Sequence, residues 1–172
     1  MADTSDEEPG TPGADAAPQV SELRDVVRRF SSLIQHGTGS AGEDERQLAV
    51  LCDRLALAAQ ARRERADAGG SGEAPGPDRQ RTRMLAAARF PRLGHYNTVA
   101  HTSVAVGAGD AVVGDAIDDV ADIADELAEV AWHLENTGEA DALRHFVDGY
   151  DHHWGAHLRR LQLYLYCVDR GL

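Results

Sequence analysis

Two histidines four residues apart mark the part of this sequence where chemistry is most readily placed. His153 and His157 lie in the stretch YDHHWGAH, where the apolar spacing predicts a helix. Histidines at positions i and i+4 project from the same side of a helix and can bind one metal ion. The glutamate that follows the first histidine in metalloprotease helices is absent here. The pattern therefore gives candidate ligands without a complete catalytic motif.

A run of acidic residues on another predicted helix supplies the carboxylates that a metal site needs. Asp119 and Glu126 border the apolar face of that helix, and Asp122 lies further out along the same edge. Helical bundles build metal sites from carboxylates of one helix and histidines of its neighbour. The candidate metal ligands are therefore His153, His157, Asp119, Asp122 and Glu126.

The same side chains also have a purely structural interpretation. In a bundle, histidines can form hydrogen bonds with carboxylates of the facing helix without any metal. Like charges crowded on one helix weaken it unless a cation offsets them. A metal ion is one such cation, and the arginines between positions 79 and 92, or Arg159 and Arg160, are others. The sequence does not decide between these interpretations.

Other catalytic patterns are absent from the sequence. The Glu-x-x-His motif of di-iron bundles is missing, and only one helix offers the acidic motif that all-α nucleotide pyrophosphatases need on two. Catalytic residues are therefore unassigned. We expect a small binding or adaptor protein that holds a protein partner or a second copy of itself, with Tyr166 as a candidate interface residue. The alternative is a metal-dependent enzyme that uses a divalent metal such as zinc or manganese.

Apolar periodicity predicts that helices position all of these residues. Five helices are expected, at about 21–35, 40–66, 79–89, 115–136 and 139–170. The second is expected to begin at a capping box formed by Ser40 and Glu43. Residues 90–114 have a poor pattern and are expected to be irregular, with one short strand or helical turn around 99–106. The short link at Gly138 makes the last two helices antiparallel neighbours. The predicted fold class is all-α, a four- to five-helix bundle.

Composition divides the chain into a tail and one domain. Residues 1–19 are acidic and have almost no large apolar side chain, which predicts a disordered acidic N-terminal tail. Residues 20–172 are expected to form a single helical domain. The Gly- and Pro-rich stretch at about 67–78 is a flexible loop within that domain.

The charge balance excludes some classes of partner. The chain has 172 residues and a formal net charge of −12, and all 17 of its basic residues are arginine. Nucleic acids and anionic membrane surfaces require concentrated basic residues, so we expect neither as a partner. No apolar run is long enough to span a bilayer, and no secretory signal is visible. Cys52 and Cys167 form no closely spaced metal or redox pair, so the expected location is the cytoplasm.

Several segments together resemble a known bacterial family. These are FPRLGHY from Phe90, the Val113-Gly114 pair, DDVADI from Asp118 and HWGAHL from His153. In order and spacing they are similar to the family called domain of unknown function 5063, from about Val20 to the C-terminus. The resemblance implies a helical fold in a bacterial cytoplasm and no particular activity. The family has Tyr-Arg after the acidic motif, where this chain has Ala124 and Asp125.

The histidine pair is also similar to that of DinB-like metal-binding bundles. Those proteins place two histidines four residues apart in a late helix and a third in an early helix, and some are hydrolases or thiol-dependent transferases. The resemblance implies His36 as the third ligand, with His95 and His101 as substitutes.

Overall fold

The computed structural model describes residues 16–62, 72–100 and 102–172. The described residues form the helices α1 (Ala16–His36), α2 (Ala41–Arg62), α3 (Arg79–Arg89), α4 (Ala116–Asn136), α5 (Glu139–Gly149) and α6 (Gly155–Arg170), and the strands β1 (His95–Val99) and β2 (Ala111–Asp115). Tyr150–Trp154 form a π-helical turn that joins α5 to α6. The predicted all-α bundle is confirmed. The fifth predicted helix corresponds to α5, the π turn and α6 together.

The predicted boundaries agree with the structure in most places. The third helix matches, and the fourth begins one residue later because Asp115 is its N-cap, with Oδ1 accepting the backbone N–H of Ile117 at 3.0 Å. The first helix begins at Ala16, so residues 16–19 of the expected tail are helical. The rest of that tail and residues 67–71 of the expected loop lie outside the described residues. The remaining loop residues, 72–78, form neither helix nor strand.

The segment predicted to be irregular contains a β-hairpin, which corrects the prediction. β1 and β2 are antiparallel, with His95 opposite Asp115 and Tyr96 opposite Gly114. The Tyr96 ring lies over Gly114, where an added Cβ would be 2.5 Å from the ring. The same ring stacks on Tyr164 of α6, with centroids 4.7 Å apart. These contacts fix the hairpin against the last helix.

α4 lies at the centre of the bundle, because it packs against α1, α3, α5 and α6. Its side chains Val120, Ile123, Leu127 and Val130 recur at three- and four-residue spacing and are buried. This spacing aligns them along one face of the helix. The edges of that face therefore lie against neighbouring helices. Along the edge next to α6, the polar side chains of α4 face residues of α6.

No helix in the described residues is long and apolar enough to cross a membrane.

The π turn sets the rotation of α6 relative to α5. In a regular α-helix, side chains eight residues apart such as Phe146 and Trp154 would point about 80° away from each other. The extra residue in the wide turn removes most of this rotation. Both side chains are fully buried, and their ring centroids are 5.2 Å apart. All residues after the turn, including His157, take their direction from this adjustment.

Gly155 is required by the π turn. Its backbone N–H donates to the carbonyl oxygen of Tyr150, which is the bond that closes the turn. A Cβ on Gly155 would lie 2.2 Å from that oxygen. The close neighbour of this glycine is therefore the backbone carbonyl of Tyr150.

Candidate functional site

His153 of the π turn and His157 of α6 each meet one carboxylate of α4. His153 Nδ1 is 2.8 Å from Glu126 Oε1, and His157 Nδ1 is 2.7 Å from Asp119 Oδ1. Asp119 is buried, while His153 and His157 are partly exposed at the edge of the core. Each carboxylate therefore accepts a hydrogen bond from Nδ1–H and fixes the orientation of its imidazole ring. The antiparallel packing expected from the sequence has brought these residues together.

Asp122 completes a group of three potential metal donors. Its Oδ2 is 3.7 Å from His157 Nε2. One carboxylate oxygen of Asp122 and one ring nitrogen each of His153 and His157 lie within 4.8 Å of one another. Among the described residues, no other group of three or more such side chains is this close. The five predicted ligands therefore separate into three converging donors and two carboxylates behind the imidazole rings.

The ionisation of this group is coupled to its surroundings. The hydrogen bond to Asp119 raises the pKa of His157 above its usual value, although burial acts in the opposite direction. Burial raises the pKa of Asp122, which the charge of His157 partly offsets. Without another cation, a proton on His157 is thus stabilised between two carboxyl groups. A metal ion bound at this position would displace that proton.

Tyr96 is a further member of the site that the sequence did not indicate. Its hydroxyl donates to Asp119 Oδ2, the second oxygen of the carboxylate that holds His157. Burial, followed by this bond to Asp119, raises the pKa of Tyr96, so the hydroxyl keeps its proton. The hairpin thereby fixes Asp119 from the side opposite His157. No sequence signal could have found this contact, because the hairpin itself was not predicted.

Gly149 allows Glu126 to lie against the end of α5. An added Cβ at Gly149 would be 2.6 Å from Glu126 Oε2 and 2.8 Å from Trp154 Nε1. Trp154 is fully buried, and its Nε1 has no hydrogen-bond partner in the described part of the chain. The close contact of the two helices at this glycine is therefore what places Glu126 behind His153.

Residues of α3 offset part of the acidic run. Arg83 binds Asp118 and Asp115 through its two terminal nitrogens, at 2.6 Å each. The Thr82 hydroxyl donates to Asp125 Oδ1 at 2.6 Å, and Asp125 is buried. α3 therefore covers Asp125 and removes this carboxylate from solvent. An arginine of the predicted segment does neutralise part of the run.

A second histidine pair lies elsewhere along α4. His133 Nδ1 is 2.9 Å from the Thr137 hydroxyl, and its ring centroid is 5.0 Å from that of His145 on α5. His145 Nε2 is 3.2 Å from Glu129 Oε2. Burial, followed by the charge of His145, lowers the pKa of His133. This pair is held by its own neighbours and joins no group of three donors in the described residues.

Neither described candidate for the third histidine of the DinB-like resemblance lies at the site. His36 is exposed and lines a different groove, of about 450 Å³, between α1 and α4. His95 Nε2 is 3.8 Å from Asp115 Oδ2, and His101 lies outside the described residues. The third donor beside His153 and His157 is the carboxylate of Asp122.

Comparison with known proteins adds information about the fold alone. No protein-family model and no curated protein matches this chain. The crystal structure of protein BF1032 from Bacteroides fragilis is similar, with a TM-score of 0.68 and 15% sequence identity. The similarity covers 87% of this chain and 91% of that chain. The architecture is therefore shared with a solved protein along most of both chains.

Proposed function

We propose that this protein is a metal-dependent enzyme whose divalent metal ion is bound by His153, His157 and Asp122. The observation that carries the proposal is the convergence of three donor atoms within 4.8 Å. Ligands of a tetrahedral zinc ion are separated by about 3.3 Å, given metal–ligand bonds of about 2.0–2.1 Å. Side-chain rotations that move the donor atoms by roughly one ångström therefore close the site around an ion. The His₂Asp set suits Zn²⁺, Mn²⁺ and Fe²⁺.

The carboxylates behind the two histidines support a metal in particular. Histidines that bind metals almost always donate their other ring N–H to a carboxylate, a carbonyl or water. Glu126 and Asp119 take this role, since both accept from Nδ1. This leaves the Nε2 atoms of His153 and His157 as the nitrogens available to the ion. At His157 the free nitrogen faces the third donor, since Nε2 is 3.7 Å from Asp122 Oδ2.

The number of ligands supports a catalytic centre over a structural one. Structural zinc sites are closed by four protein ligands, whereas catalytic sites keep a position for water or substrate. Three protein donors leave such a position, and Asp122 and His153 also line a groove of about 430 Å³. A metal ion with an open position polarises a bound substrate or lowers the pKa of a bound water molecule. The reaction class that follows is metal-assisted hydrolysis or transfer.

The family resemblance supports the proposed metal ligands. Asp118, Asp119, Asp122, His153 and His157 fall on the pattern positions of domain of unknown function 5063. We therefore also propose membership in that family. All three proposed ligands belong to this set.

The test is metal binding by protein purified without an affinity tag. Elemental analysis and calorimetric titration with Zn²⁺, Mn²⁺ and Fe²⁺ should give about one equivalent. The double variant His153→Ala/His157→Ala should lose this binding while circular dichroism shows an unchanged helical content. The control variant His36→Ala/His152→Ala removes two exposed histidines and should retain the binding. With Mn²⁺ bound, enhanced relaxation of water protons should report the open position. Metal-free protein that takes up none of the three ions would overturn the proposal.

A second candidate function is an adaptor that binds through the outer face of α6. Leu163 and Tyr166 are 64% and 53% exposed, so this face of α6 presents two large side chains to solvent. The Arg170 guanidinium lies 5.2 Å from the Tyr166 ring centroid. If this face holds a second copy of the chain, Tyr166→Ala should weaken self-association in sedimentation without unfolding the protein. Unchanged sedimentation would count against a dimer on this face.

A further inference from the structure

The groove beside the proposed metal site has one acidic wall and one basic wall. Asp122 and His153 line it from α4 and the end of the π turn, and Arg79, Gln80 and Arg83 line it from α3. Its volume of about 430 Å³ lies within the range of about 300–1,000 Å³ that is typical of small-molecule sites. The groove therefore fits a small ligand whose one end reaches the metal position.

The two arginines of the basic wall differ in what they contact. Both terminal nitrogens of Arg83 are already bound to Asp115 and Asp118. The Arg79 side chain makes no hydrogen bond or ion pair to the part of the chain that the structure describes, and it is exposed on the groove. It is near enough to Asp122 for its charge to act on that carboxyl group. Arg79 is thus the cation that remains available to a ligand.

The charge of the groove depends on the metal. Asp118, Asp122 and Asp125 line it together with the two arginines and make it unfavourable for an anion. A divalent ion on Asp122 and the histidines offsets these carboxylates and adds a second cationic centre opposite Arg79. An anionic ligand is therefore expected to bind only after the metal.

We propose that the substrate of this site carries a phosphate group, which bridges the metal ion and Arg79. A guanidinium takes two oxygen atoms of an oxyanion through parallel N–H bonds. A carboxylate would have to share its two oxygens between the guanidinium and the metal, whereas a tetrahedral phosphate has a separate oxygen for the ion. Gln80 provides an additional donor on the same wall. This inference rests on the proposed metal site and names the substrate class of that site.

The test uses the full chain, Mn²⁺ and inorganic phosphate. Calorimetric titration of phosphate should show binding to Mn²⁺-loaded protein and none to metal-free protein. Arg79→Gln should weaken phosphate binding by about 10- to 100-fold, because a hydrogen bond to a charged group contributes about 1.5–3 kcal/mol. It should not lower the affinity for Mn²⁺ measured without phosphate. Arg81→Gln is the matched control, since Arg81 is exposed on the same helix and does not line the groove.

The outcomes separate this inference from the proposed function. Protein that fails to bind Mn²⁺ overturns both. Protein that binds Mn²⁺, but binds phosphate equally well with and without the metal or with and without Arg79, overturns the phosphate assignment alone. Acetate bound as tightly as phosphate also overturns it, because the argument requires more than two oxygen atoms.

Discussion

The chain has two histidine pairs near carboxylates of α4: His153 with His157, which face α4, and His133 of α4 with His145 of α5. In the first pair, Asp119 and Glu126 accept from the Nδ1 atoms. In the second, Nδ1 of His133 meets the Thr137 hydroxyl, and Nε2 of His145 itself faces Glu129 at 3.2 Å. Carboxylates thus lie near both pairs, but they approach Nδ1 in the first pair and Nε2 of His145 in the second.

The comparison shows that composition alone does not identify a metal site in a helical bundle. A metal site requires that the carboxylates accept hydrogen bonds from the ring nitrogens that point away from the metal position. The other ring nitrogens then remain free to bind the ion. At His157 they do, since Nδ1 contacts Asp119 and Nε2 faces Asp122, and His153 adds a further donor to the same group. At His133 and His145, Nε2 of His145 instead faces Glu129 at 3.2 Å, and no third donor joins the pair among the described residues. We therefore expect perturbations of the two regions to have different consequences for metal binding.

The largest difference is expected on removing the third donor. Asp122→Asn eliminates the charged ligand and should reduce the affinity for Zn²⁺ by more than about 100-fold, since changes behind the ligands already cost about 10–100-fold. The equivalent change beside the other pair, Glu129→Gln, should leave the affinity unchanged. Calorimetric titration of both variants measures this. Equal losses in the two variants would remove the distinction between the regions.

A smaller loss is expected when the support behind a ligand is changed. Glu126→Gln keeps the size of the side chain but weakens the bond that orients His153. The affinity for Zn²⁺ should fall by about 10–100-fold. An unchanged affinity would mean that His153 is oriented by packing alone. The affinity is measured by competition with a chelator whose absorbance reports free Zn²⁺.

The π turn follows His145 and precedes His157 in the chain. We expect a substitution that disrupts the turn to affect the pair His153 and His157. Gly155→Ala places a Cβ against the Tyr150 carbonyl oxygen and should lower the free energy of unfolding by about 1–3 kcal/mol, as overpacking does. It should also weaken metal binding, because His157 follows the turn. Urea denaturation measures the stability. Gly76→Ala is the control, since an added Cβ there meets nothing within 4 Å; equal stability of the two variants would contradict the role of the turn.

The smallest effect concerns the pH dependence of the structural pair. Because burial lowers the pKa of His133 in the folded state, the unfolded chain binds more protons at this position. The free energy of unfolding should therefore fall as the pH drops through the ordinary histidine pKa of about 6.5. His133→Asn should lose less stability than the unchanged protein between about pH 8 and pH 5. Parallel stability curves for the two proteins would contradict this account of His133.

The sequence predicted the helices and the five site residues because both follow from local spacing. The three- and four-residue repeat of α4 placed Asp119 and Glu126 at the edge of its apolar face, and the short link at Gly138 placed α5 and α6 beside it. The division of the five residues into donors and supporting carboxylates depends on distances between helices. Periodicity carries no information about those distances.

The hairpin and the π turn could not be predicted for different reasons. The strands at 95–99 and 111–115 are short and partly exposed, so the alternation of apolar and polar residues along them gives only a weak strand pattern. Tyr96 is therefore placed beside Asp119 by tertiary contacts alone. The π turn results from the requirement that Phe146 and Trp154 both enter the core. The sequence shows a glycine at position 155, but it does not show that the backbone N–H of Gly155 donates to the Tyr150 carbonyl oxygen.

The most direct test is nuclear magnetic resonance of the histidine side chains during addition of Zn²⁺. Long-range proton–nitrogen correlation spectra distinguish Nδ1 from Nε2 in each ring. We expect the Nε2 signals of His153 and His157 to move on metal binding while Nδ1 of both stays protonated, and the signals of His133 and His145 to remain in place. Coordination through Nδ1 of His153 or His157, or movement confined to His133 and His145, would contradict the account.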